Sequence, residues 1–182
     1  MKPLKQIFFG GLVADSASQA TSLYPLCAKT TAGEDFDLSA FRGKVVLIVN
    51  TASKCGFTKQ YDALEALNQR YSKEGLVILG FPSNDFMSQE PGSDTEIESF
   101  CRINHGVTFK LFHKAPVTGA EIQPVFKALT TQGPKALRGK VSWNFEKFLL
   151  DREGRLIGRW KPWVNPAWGI FHRTLNRVLS AA

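Results

Sequence analysis

The stretch from Val45 to Phe81 constrains this chain more than any other. Val45-Val46-Leu47-Ile48-Val49-Asn50 is a short, β-branched run without polar alternation, the pattern of a strand buried on both faces. From Gln60 to Lys73 the apolar residues Tyr61, Leu64, Leu67 and Tyr71 recur at helical spacing, which predicts an amphipathic helix. Glu74-Gly75 stops that helix, and Leu76-Val77-Ile78-Leu79-Gly80-Phe81 reads as a second buried strand. Strand, helix and strand in close succession make a βαβ unit, whose two strands are parallel and joined by a right-handed crossover.

The remaining elements attach to that unit. Leu23 to Lys29 reads as a strand, Ala32 to Asp35 as a turn and Phe36 to Leu38 as the return. A polar loop, Pro82 to Ser93, carries Gln89. Ser93 with Glu96 forms a capping box for a helix running to about Ile103, stopped near Asn104-His105-Gly106. Val107 to Phe112 is a third strand candidate. Pro124 to Thr131 is a short helix with proline tolerated in its first turn. Phe145 to Asp151 and Arg155 to Trp160 flank the turn Asp151-Arg152-Glu153-Gly154 as a hairpin, and Phe171 to Leu179 closes the chain as an amphipathic helix. The expected fold is one α/β domain with a mixed central sheet flanked by helices, spanning residues 21–182.

Bulk properties exclude several classes. A hydrophobic content of 43% with mixed charge argues against disorder, and no run reaches the length of an integral membrane segment. The net charge of +7 comes from scattered lysines and arginines with no basic stripe, so no nucleic-acid partner is expected. Such a surface is suited to steering an acidic protein partner. Three cysteines, widely spaced and without a C-x-x-C pair, make no disulfide scaffold. His105, His113 and His172 lie far apart and show no ligand spacing, so neither a metal nor another cofactor is expected. Residues 1–20 read as an N-terminal extension or a weak signal peptide. Lys2 and Lys5 precede an apolar core, but Gly10 and Gly11 break it.

Cys55 lies on the loop between the first strand and helix of the βαβ unit, just ahead of the helix N-terminus. Unpaired N–H groups and the positive dipole end favour a thiolate there, with Lys54 and Lys59 adding charge. Free cysteine is also among the most buried residue types, so position alone leaves a packing role and a nucleophilic role both open.

Fold and position together suggest the thioredoxin-like class. A dithiol redoxin needs a second cysteine where Thr58 stands, and typical peroxiredoxins carry threonine where Ala52 stands. The segments that do match are Asn50-Thr51-Ala52-Ser53-Lys54-Cys55-Gly56-Phe57-Thr58, then Phe81-Pro82-Ser83-Asn84-Asp85-Phe86 followed by Gln89-Glu90-Pro91-Gly92-Ser93, and finally Trp143-Asn144-Phe145. In order and spacing the chain resembles the glutathione peroxidase family over residues 22–180, with cysteine where some members carry selenocysteine.

The resemblance implies a catalytic tetrad of Cys55, Gln89, Trp143 and Asn144. Thiolate attack on a peroxide leaves a sulfenic acid, and indole and amide N–H donors suit the charge that develops. It further implies that Cys101 is a resolving cysteine, as in members that use thioredoxin rather than glutathione. Because Cys101 falls on an expected helix, reaching Cys55 requires that helix to unwind, since a disulfide needs Cα atoms within about 7 Å. Cys27 is read as structural. Only Thr131 to Val141 links the short helix to Trp143, without the longer insertion of tetrameric, glutathione-using relatives, which implies a monomer open to bulky lipid hydroperoxides. Two residues depart from the family pattern: Asp85 stands for a glutamine and would raise a nearby thiol pKa unless neutralised, and Lys110 stands for a proline. A peroxide-sensing relay to a partner protein uses the same residues. A metal-delivery module on the same scaffold needs a second nearby cysteine and a histidine.

Overall fold

Strand β5 (Val45–Thr51) is buried at every position and organises the rest. The structure, a computed structural model, describes residues 5–7, 11–13, 21–24 and 26–180. The other strands are β1 (Lys5–Ile7), β2 (Gly11–Val13), β3 (Cys27–Lys29), β4 (Asp35–Asp37), β6 (Leu76–Pro82), β7 (Lys110–Leu111), β8 (Lys147–Leu150) and β9 (Leu156–Trp160). The helices are α1 (Gln60–Tyr71), α2 (Asp94–His105), α3 (Pro124–Thr131) and α4 (Gly169–Leu179). Seven strands form one sheet in the order β1-β2-β9-β8-β5-β6-β7, while β3 and β4 pair separately. β5 and β6 are parallel, with Val45 opposite Leu76 and Thr51 opposite Pro82, as the βαβ reading requires. β8 joins the other side of β5 antiparallel, so the sheet is mixed.

Alternation along β5 builds two core layers. Val45, Leu47 and Val49 face Leu64, Leu67 and Tyr71 of α1, with Ile97 of α2 and Leu175 of α4 in the same layer. Val46 and Ile48 face the layer that holds Phe126 and Leu129 of α3. Helices on both faces are what a strand with no polar side demands. No helix among the described residues is long and apolar enough to cross a membrane.

Several elements end where side chains divert the backbone. The strand expected from Val107 shrinks to Lys110–Leu111. The Val107 N–H closes the C-terminus of α2 on Cys101 O, and Thr108 gives both its N–H and its hydroxyl to Glu65 of α1. Thr30 bridges Phe112, and the His113 N–H donates to Lys29 O, so the chain around β3 covers the margin of β7. The strand expected from Leu23 begins only at Cys27, because the Leu26 N–H turns back onto Leu23 O. Asp37 caps a 3-10 turn over Leu38–Phe41, which shifts the return strand one residue earlier, from the expected Phe36–Leu38 to Asp35–Asp37. In contrast, α2 runs two residues past Ile103 and ends on Gly106 at φ 60°, a left-handed cap suited to glycine. At the other edge, Gly11–Val13 pairs antiparallel with Gly158–Trp160 of β9 and buries Val13.

Candidate active site

The loop from Ala52 to Lys59 turns sharply between β5 and α1, and Thr58 shapes it. The Thr58 hydroxyl donates to Ala52 O at 2.9 Å and accepts the Cys55 N–H at 3.0 Å, while the Thr58 N–H returns to Cys55 O at 3.0 Å. The residue that occupies the second-cysteine position of a dithiol motif is therefore the brace of the nucleophile loop. Cys55 is 9% exposed, and the Phe57 N–H points at its Sγ at 3.4 Å.

Gln89 reaches this loop through strained backbone. Met87 and Ser88 both take left-handed conformations, φ 53° and 51°, which only the surrounding structure can hold in non-glycine residues. They turn Gln89 so that its carbonyl accepts the Lys54 N–H at 3.0 Å, one residue from Cys55. Its side-chain Oε1 accepts from Asn144 Nδ2 at 3.0 Å.

Trp143, Asn144 and Phe145 are held from β5. Asn50 donates Nδ2–H to Trp143 O and accepts the Glu146 N–H on Oδ1, both at 3.0 Å. Between these anchors Phe145 sits at φ 64°, fully buried, so the backbone turns there and β8 begins only at Lys147. Trp143 packs on the core layer that includes Cys55, with its ring 5.5 Å from that of Phe86. Asn144 is fully buried, and its Oδ1 has no partner among the described residues.

A second set of polar residues supports this turn and was not singled out from sequence. Glu146, fully buried, accepts the Ser142 N–H and hydroxyl on one oxygen and Arg159 Nε at 2.7 Å on the other. Arg159 spends its remaining donors on Leu137 O, Gly139 O and Lys140 O, strapping the 137–140 segment to the sheet. Lys147, also fully buried, donates to Pro162 O at 3.0 Å and Val164 O at 2.7 Å. Burial pulls its amine down to about 7. The legible signal was three charged residues inside apolar hairpin strands, since such groups are rarely buried unless partnered.

Of the five expected site residues, Gln89 and Asn144 are joined directly. Lys54, next to Cys55, is bonded to Gln89 O, and Trp143 precedes Asn144 and packs on the core layer that includes Cys55. Cys101 belongs to that same core layer but is carried by another element. It projects from α2 into the core with no exposed surface, and burial pushes its thiol up to about 11. Cys27 is exposed on β3. The Asp85 carboxylate is partnered by backbone: its Oδ2 accepts the N–H groups of Val117 and Thr118 at 2.7 and 3.0 Å. Lys110 carries its ammonium over the rings of Phe36 and Phe112, and β7 begins at this residue.

Comparison with known proteins bears on the same residues. The glutathione peroxidase family profile matches residues 23–130, a span that holds Cys55, Gln89 and Cys101. The chain is 49% identical over 146 residues to the glutathione peroxidase homolog BsaA of Bacillus subtilis, covering 80% of this chain and 91% of that protein. It is 50% identical over 143 residues to the glutathione peroxidase-like peroxiredoxin gpx1 of Schizosaccharomyces pombe, covering 79% and 90%. The crystal structure of apo Trgpx superposes with a TM-score of 0.71 at 37% identity, covering 89% of this chain and 98% of that one. A thioredoxin family protein from Chlorobium tepidum, 15% identical, matches with a TM-score of 0.64 over 91% of this chain and 99% of its own, which shows that the fold is thioredoxin-like. A brace of Thr58 around a strand-to-helix cysteine, a Gln–Asn pair beside it and a matched sequence on either side leave one assignment: the chain belongs to the glutathione peroxidase family.

Proposed function

We propose that this protein is a thiol peroxidase that reduces hydrogen peroxide and organic hydroperoxides through Cys55, with Gln89, Trp143 and Asn144 completing the site. The observation that carries the reading is the Gln89–Asn144 hydrogen bond beside the Cys55 loop. Asn144 gives one Nδ2–H to Gln89 Oε1, which leaves its second Nδ2–H, the Gln89 Nε2–H groups and the Trp143 Nε1–H as the donors for a reacting oxygen. The Cys55 thiolate attacks one peroxide oxygen, the O–O bond breaks, and the leaving oxygen departs as water or an alcohol after taking a proton. Amide and indole donors aimed at that oxygen stabilise its developing charge.

Cys101 then attacks the Cys55 sulfenic acid and expels water, and a thioredoxin-type protein reopens the disulfide. Relatives named peroxiredoxins in Schizosaccharomyces pombe and Saccharomyces cerevisiae support a protein reductant over glutathione. The Arg159 strap holds the 137–140 segment against its own sheet, which supports a monomer. Val13, buried under β9, favours reading residues 1–20 as an extension over a removable leader, and with it a cytoplasmic location.

The test is a peroxidase assay run with thioredoxin and with glutathione. Turnover is expected with thioredoxin, none with Cys55→Ser, and for Cys101→Ser a normal peroxide step followed by a persistent sulfenic acid and little thioredoxin turnover. Normal thioredoxin turnover by Cys101→Ser would overturn the two-cysteine scheme, and normal peroxide consumption by Cys55→Ser would overturn the enzyme.

A further inference from the structure

Helix α2, which carries Cys101, is fastened at each end by an imidazole–carboxylate pair. At its C-terminal end His105 Nδ1 lies 2.6 Å from Asp62 Oδ1 of α1. At its N-terminal end Asp94 Oδ2 lies 2.5 Å from His113 Nδ1, and Asp94 Oδ1 accepts the Lys114 N–H at 2.8 Å. Two of the three histidines in the chain are thus spent on one helix. The rest of α2 is held by ordinary means: the Ser93–Glu96 capping box, the Thr31–Glu98 hydrogen bond, and burial of Ile97 and Cys101.

The reading of Cys101 as the resolving cysteine, on which this inference rests, places a demand on α2. Cys101 is fully buried on α2, in the same core layer as Cys55 but not bonded to it, so forming a disulfide between them requires α2 to shift or let go. We propose that Asp62–His105 and Asp94–His113 are positioning pairs for the resolving step, two clasps that set how readily α2 releases Cys101. The clasp residues touch neither sulfur. They act through the helix.

Each clasp is a hydrogen bond between an imidazole and a charged carboxylate, so removing the carboxylate charge weakens it. The His105 ring lies between Tyr61 of α1 and Phe100 of α2, with Asp62 as its bonded charge and Arg102 and Glu65 one turn away on their helices. His113 shares a cleft with Lys29 and Asp35, and Lys114 follows it. Arg102, Lys29 and Asp35 are exposed and screened by solvent, whereas Glu65 is buried and committed to Thr108. Partly exposed pairs of this kind change an opening equilibrium by about two- to five-fold each.

The test uses the full-length reduced protein, with Asp62→Asn, Asp94→Asn and the double variant, each of which keeps a hydrogen-bond acceptor. After one equivalent of hydrogen peroxide, Cys55 sulfenic acid trapped by a dimedone reagent is compared with Cys55–Cys101 disulfide over time. The peroxide step is expected to be unchanged, and disulfide formation to rise by about two- to five-fold per clasp. His105→Gln should reproduce Asp62→Asn. Hydrogen exchange in residues 94–105 of the reduced variants should rise by the same factor while β5 and β6 stay protected. Damage to the fold would not accelerate resolution, so parental or slower disulfide formation with unchanged exchange in α2 would overturn the clasps. A parent that forms no Cys55–Cys101 disulfide would instead refute the resolving role itself.

Discussion

Asp85 shows how a single residue can mislead in sequence and explain itself in structure. On the loop that carries Gln89, a carboxylate in place of glutamine reads as a charge beside the nucleophile. Its Oδ2 instead caps the N–H groups of Val117 and Thr118 and ties the 82–93 loop to the segment before α3. Asp85→Gln is expected to leave the rate of peroxide consumption unchanged and to lower stability by about 1–2 kcal/mol, because a charge-assisted acceptor becomes a neutral one. A peroxide-consumption rate and a urea melt on the same sample check both halves. The readings of Cys55, Gln89, Trp143, Asn144 and Cys101 rest on resemblance to the family, and the structure adds the direct Gln89–Asn144 bond. The left-handed backbone at Met87, Ser88 and Phe145, which aims three of them, was not legible, since none of these is a glycine and tertiary contacts alone hold them there.

At the scale of elements, the β8–β9 hairpin carries the least obvious physics. Lys147 faces two backbone carbonyls of the 161–164 turn from a fully buried position. Its amine titrates near 7, against the usual 10.5, because burial disfavours the charge. Between those values the unfolded chain binds a proton that the folded chain does not, so this residue makes stability rise with pH from about 7 to 10.5. Below that window the charged, desolvated amine costs folding on the order of 4–5 kcal/mol. Lys147→Met removes the dependence, so the stability of the parent relative to the variant should climb by several kcal/mol between pH 7 and pH 10 in paired urea melts. A pH-independent difference would place the amine in ordinary solvent contact. The hairpin itself was legible from its turn and its apolar flanks. The charged lattice of Glu146, Lys147 and Arg159 was visible only as an oddity, because its partners are mostly backbone carbonyls distant in sequence.

For the whole molecule, the βαβ unit was read correctly because β-branched runs and helical spacing are local signals. The shortening of β7 owes most to the bonds of Thr108 with Glu65, on a helix 43 residues earlier, which no window of sequence contains, whereas the local bonds that reset β3 and β4 are too weak a signal to read without the fold. The net charge of +7 also acts at this scale. With an acidic thioredoxin as reductant, its KM is expected to rise steeply with salt while kcat holds, since steering affects encounter and not the chemical step. A KM flat in salt would mean that uncharged contacts dominate docking.

The margin of the sheet at β7 has a consequence for behaviour in concentrated solution. An exposed strand edge is a template for another chain, and natural sheets blunt such edges with short strands, lysines and covering loops. Here the edge is two residues long, begins with Lys110, and is flanked by the Thr30 bridge to Phe112 and the Lys29 carbonyl bond to His113. Those two backbone contacts lie outside α2, but the same segment is also tied to that helix through Thr31–Glu98 and Asp94–His113. A cycle that loosens α2 would therefore loosen the cover as well, leaving the two-residue length of β7 and the charge of Lys110 to keep this edge a poor template for intermolecular sheet growth.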